Sequence, residues 1–103
     1  MTEVKMKQVF DVYSVSIKGH AGYADIGKDI VCSACSILIY SLDKYLSDME
    51  QQDKVIVLEA TADNGNVNIV FEIKDTNVLY GINAIKGGFE LLAENYSEYV
   101  KIF

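Results

Sequence analysis

The 103-residue sequence has no proline, no tryptophan and a single histidine. Without proline, and with no low-complexity tract or internal repeat, nothing marks a linker, so one domain over residues 1–103 is expected. A chain of this size buries roughly two-thirds of its unfolded surface and holds together without disulfides or metal. Cysteine is scarce. Cys32 and Cys35 are the only two; they are no disulfide framework and read as free thiols in a reducing cytoplasm. No apolar run approaches the roughly 18 residues that would span a bilayer. Thr2 to Lys7 alternate polar and apolar residues and hold no apolar stretch of a secretion signal. A cytoplasmic protein with no membrane partner is therefore expected. Basic residues are also few: nine Lys and Arg stand against fifteen Asp and Glu, a net charge of −6, with no basic cluster. That balance argues against nucleic acid as a partner.

Half of the residues are apolar, including seven tyrosines and four phenylalanines, and their spacing outlines the elements. Residues 2–18 are strand-like: Val4 and Met6 alternate with charged neighbours, then Tyr13, Val15 and Ile17 with Ser14, Ser16 and Lys18. A turn within 9–12 would make this a hairpin, although no glycine marks it. Residues 19–29 carry three glycines, Gly19, Gly22 and Gly27, and read as a loop. From Ile30 the period changes. Val31, Cys35, Leu38, Leu42, Tyr45 and Met49 form one helix face, with Asp29 as N-cap and an end near Met49. Val55–Ala62 and Val67–Ile73 read as strands joined by an Asp63-Asn64-Gly65 turn. A second helix, capped by Asp75, Thr76 or Asn77, presents Val78, Ile82, Ile85, Phe89, Leu92 and Tyr96. Gly87 and Gly88 inside it cost about 1 kcal/mol each against alanine, tolerable if another backbone comes close there. Tyr99–Phe103 suits a final edge strand. The expected fold is α+β, in the order β-β-α-β-β-α-β, with two helices packed on a mostly antiparallel sheet.

Reactive side chains concentrate in one place, because His20 and both cysteines fall on the glycine-rich loop and the helix it feeds. With Asp29 as N-cap, Cys32 is the third helical residue, beside unsatisfied amides and the positive end of the helix dipole. Both favour a thiolate, the nucleophilic form. The same amides could donate to an oxyanion. An imidazole within reach could stabilise the thiolate and protonate a leaving amine. Equally, a lone histidine among glycines can be a surface or structural residue. Cys35 falls on the apolar stripe and reads as a buried small hydrophobe. Ser36 faces the same side as Cys32 and could bond near the site or back to a helix carbonyl. Asp29 is a cap, or a cap that also orients His20. Tyr23 and Tyr40 read as packing.

Two other chemistries use the same residues. Cys32-Ser33-Ala34-Cys35 is a C-x-x-C at a helix N-terminus, as in thiol–disulfide redox modules, though no βαβ pattern precedes it. His20, Cys32 and Cys35 could ligate zinc, but a zinc deaminase needs Glu and Pro where Gly22 and Val31 stand. No metal and no cofactor is expected.

The stretch Gly19-His20-Ala21, Gly27-Lys28-Asp29-Ile30-Val31-Cys32 and Ser36 resembles the ribosomal-processing cysteine protease family Prp, and the order of strands and helices is similar over the whole chain. The resemblance implies a small cytoplasmic homodimer in which Cys32 is nucleophile and His20 general base and acid. Asp29 and Ser36 would be supporting residues. Gly19 to Gly27 would form a flexible flap over the peptide. It further implies that the partner is the N-terminal extension of a large-subunit ribosomal protein, the twenty-seventh of that series, cut after an aromatic residue. Ser33-Ala34-Cys35 departs from the family's small aliphatic residues, and the first hairpin lacks its glycine. An acidic homodimer that binds the ribosomal protein without cutting it is the alternative from outside enzymology.

Overall fold

The computed structural model describes residues 1–22, 24–25, 29–63 and 65–103; the motif residues Gly27 and Lys28, together with Tyr23, Ile26 and Asn64, lie outside that description. Strands β1 (Thr2–Val9) and β2 (Val12–Lys18) pair antiparallel from Val9↔Val12 to Glu3↔Lys18. The connection is a two-residue turn at Phe10 and Asp11. Phe10 does the work expected of glycine there, adopting φ 54° with its side chain 92% exposed. The Gln8 side-chain amide donates to the Phe10 carbonyl at 2.8 Å, and this bond supports the turn. A β-branched or buried residue would be harder to hold in that left-handed region. The missing glycine is thus replaced by an unpacked aromatic.

Helix α1 (Ile30–Gln51) follows the loop, then β3 (Val55–Asp63), β4 (Asn66–Ile73), α2 (Val78–Asn95) and β5 (Val100–Ile102). The sheet order is β3-β4-β2-β1-β5, antiparallel except for the β1–β5 pair. It is the expected α+β architecture, two helices on an open, mostly antiparallel sheet. Alternation along the strands puts one face of the sheet under the helices. Across it, Phe71 pairs with Tyr13, Ile69 with Val15, and Ile17 with both Val4 and Val67. The rings of Tyr13 and Phe71 stack at 5.3 Å. Val31, Cys35, Leu42 and Leu46 of α1 and Val78, Ile82 and Phe89 of α2 close the core from above.

One helix boundary differs from the sequence reading, for a local reason, and the cap of the second helix is narrowed to one of its three candidates. Helix α1 runs two residues past Met49 and ends in a hydrogen-bonded stop. The amide of Lys54 donates to the Met49 carbonyl at 2.9 Å and that of Asp53 to Glu50 at 3.0 Å, with Asp53 at φ 61°. This is the Schellman arrangement, with aspartate in the place glycine usually takes. At α2 the N-cap is Asn77 but its side chain makes no capping bond; the Asp75 carboxylate accepts from the Asn77 amide at 2.9 Å instead. Helix α2 stops at Asn95, with Tyr96 as its C-cap. By length and composition α1, at 22 residues, is apolar enough to cross a membrane, which a criterion of unbroken apolar runs overlooks. Its buried side chains pack on the sheet.

Candidate active site

The end of β2 and the start of α1 converge on one corner of the sheet. Gly19 leaves β2 at φ +88°, and its amide donates to the Gly65 carbonyl at 3.0 Å. A Cβ at Gly19 would lie 2.5 Å from the Met1 carbonyl oxygen, so the chain can pass only as glycine. Two residues on, Ala21 is buried to 2% exposure. Between these anchors His20 is exposed. The loop that carries it is therefore pinned on both sides of the imidazole.

Asp29 shapes the other half. It is buried, and its Oδ1 accepts from the Cys32 amide at 2.9 Å while its Oδ2 accepts from Ala24 at 3.4 Å. Its carbonyl accepts from the Ser33 amide at 3.1 Å and the Ser33 hydroxyl at 3.2 Å. One carboxylate thus caps the helix and ties the glycine loop to it, with Cys32 third in the helix as its spacing predicts. The Cys32 amide is consequently committed to the cap, and it is removed from the amides that could donate to an oxyanion.

Cys32 is half-buried, at the mouth of two cavities. The larger, of about 790 Å³, is lined by His20, Gly22, Ala24, Asp25, Asp29, Cys32, Ser33, Ser36, Ile37 and Tyr40. The smaller, of about 310 Å³, runs beneath α1 and adds Thr2, Ile17, Gly19, Cys35, Ile39, Ala62, Gly65 and Val67 to His20, Cys32, Ser36 and Tyr40. The sequence-predicted residues His20, Cys32, Asp29 and Ser36 thereby line the larger cavity together with Gly22, and Gly19 lines the smaller one. The structure adds Ile37 and Gly65, which the sequence reading did not place in the site, and Tyr40, which it read as packing. Ile37 and Tyr40 are apolar walls left 62% and 68% exposed. Tyr40 is one and two turns beyond Ser36 and Cys32, so helical periodicity could have placed it. Gly65 comes from a distant hairpin, and no local signal marks it.

Cys35 behaves as a core residue. It is 5% exposed, and burial, with Cys32 and Asp29 nearby, pushes its thiol up to about 11. A thiol so placed stays protonated and is a poor nucleophile. Among the described residues no three His, Cys, Asp or Glu side chains converge as a metal site would need.

Comparisons with known proteins bear on the fold and the family. The ribosomal processing protease Prp of S. aureus, solved with a covalently linked product peptide, superposes with a TM-score of 0.77 at 19% identity, covering 99% of this chain and 97% of that one. The same S. aureus protease with a substrate peptide gives 0.69 at 18% identity, covering 100% and 98%. A Streptococcus mutans protein structure gives 0.68 at 26% identity, covering 99% and 91%. At the S. aureus identities the likeness is one of fold. Comparison with curated protein sequences yields no match. The profile of the family described as cysteine protease Prp matches residues 1–101, all but the last two positions. The chain belongs to that family and is a cysteine protease.

Proposed function

We propose that Cys32 is the nucleophile and His20 the general base and acid of a peptidase that removes the N-terminal extension of a large-subunit ribosomal protein. The substrate is the twenty-seventh protein of that series, and the cut follows an aromatic residue. One observation carries the reading: His20 and the half-buried Cys32 line the same two cavities. Cys32 Sγ, its proton taken by His20, attacks the scissile carbonyl carbon. A carbon–sulfur bond forms, the carbon–nitrogen bond breaks, and His20 returns the proton to the leaving amine. Water then attacks the thioester with His20 taking its proton, the carbon–sulfur bond breaks, and the free thiol is restored. Asp29 supports the step by fixing the first turn beneath Cys32, and Ser36 borders the reacting hollow. The apolar walls at Ile37 and Tyr40 suit an aromatic side chain.

The enzyme works as a homodimer in the reducing cytoplasm. Leu91 and Ile37 are exposed beside a groove of about 470 Å³ between α1 and α2, apolar surface that a second copy would cover. Light scattering gives the mass in solution, and a monomer at micromolar concentration would contradict this part. The activity is tested by mass spectrometry of the extended ribosomal protein after incubation with enzyme. Loss of the extension, abolished by Cys32→Ala and by His20→Ala, is the expected result. Undiminished cleavage by either variant overturns the dyad. An unchanged mass with tight binding supports the non-catalytic alternative.

A further inference from the structure

We infer that Gly65, in the turn between β3 and β4, is a positioning residue for His20: the absence of a side chain there is the seat on which the imidazole rests. This rests on the dyad proposed above. A Cβ built on Gly65 would lie 2.8 Å from His20 Nε2, 2.9 Å from Cε1 and 3.4 Å from Cδ2. The ring therefore occupies the space that any other residue would fill. Two further observations tie the turn to the loop. The Gly19 amide donates to the Gly65 carbonyl at 3.0 Å, and the last β2–β4 pair is Lys18↔Asn66. The backbone on either side of the contact is thus held in register.

The functional consequence follows from where His20 sits. It is exposed, at the end of a strand, with the cavity shared by Cys32 on one side. An exposed imidazole samples several rotamers, and each one away from the thiol removes the base from the reaction. A flat backbone surface against the ring excludes those that would enter the turn. Gly65 also lies at φ +85°, so a turn requirement alone would favour glycine there. Separating the two roles needs a residue that accepts the backbone but carries a Cβ. Asparagine does so.

The test is Gly65→Asn in the full chain, read in three ways. His20 is the only histidine, so its Cε1–H proton resonance is a single, unambiguous reporter. Gly65→Asn should move that resonance and lower kcat by about 10- to 100-fold with KM little changed. The urea midpoint should fall in the presence of His20 and be restored in the His20→Ala/Gly65→Asn double variant compared with His20→Ala alone. An unmoved resonance and unchanged kcat overturn the inference. So does an equal loss of stability in the His20→Ala background, which would leave Gly65 a turn residue only. Full cleavage by His20→Ala, with the stability coupling still present, would instead end the dyad reading and leave the contact standing.

Discussion

Leu38 packs its δ-carbons against Gly88, so close that a Cβ on the glycine would lie 2.6 Å from Cδ2. Here α1 and α2 meet closely, and a second such contact one heptad earlier sets the Tyr45 ring over Gly81, its hydroxyl donating to the Val78 carbonyl at 2.9 Å. Gly87, the neighbour of Gly88, has nothing within 4 Å of its missing Cβ. The two glycines should therefore answer differently to the same substitution. Gly87→Ala should gain about 0.5–1 kcal/mol from helix propensity. Gly88→Ala should lose that gain to crowding of Leu38, since overpacking costs about 1–3 kcal/mol. Urea unfolding of both variants measures this; equal gains would show that Leu38 yields freely.

Removal of the Asp29 cap should cost both stability and activity. Asp29→Ala deprives the Cys32 and Ala24 amides of their acceptor, a loss of about 1–2 kcal/mol for a cap of this kind. It also unties the glycine loop from the helix, so peptide cleavage should slow by more than the fall in folded fraction. Asp29→Asn keeps an acceptor oxygen and should recover most of the stability. Thermal unfolding and cleavage rates of the two variants, side by side, decide whether the bond or its charge matters.

The Cys35 thiol has a direct pH signature. Its folded value is raised from 9.0 to about 11 by burial, and burial raises that of Tyr13 as well. A raised acid binds its proton more tightly in the folded state, so its contribution is complete below pH 9 and is lost as pH climbs towards 11. Unfolding free energy should fall across that window by on the order of 2 kcal/mol more in the natural chain than in Cys35→Ala. Below the window the two curves should run parallel. At pH 8, iodoacetamide with mass mapping should label the half-buried Cys32 and spare Cys35.

Much of this was legible along the chain because it depends on near neighbours. The helix face from Val31 to Met49, the cap at Asp29 and the alternation of Tyr13, Val15 and Ile17 each follow from periods of 3.6 or 2. Helix ends were read less well. The stop after Gln51 uses a left-handed aspartate, and the first turn uses a left-handed phenylalanine, positions where composition points to glycine. Of the glycine pair in α2, one is explained by a close approach, though of a side chain rather than a backbone, and the other is not.

The amino-acid order by itself determined the candidate segment. A cap, a thiol in the first turn and an imidazole upstream lie within residues 20–32, and local hydrogen bonds suffice to place the thiol. What only the tertiary structure decided is what stands beneath the imidazole. Because β2 pairs antiparallel with β4 as far as Lys18↔Asn66, a turn forty-five positions away in sequence arrives under His20. Strand register is a collective outcome of the whole buried face, and no short stretch of sequence encodes it.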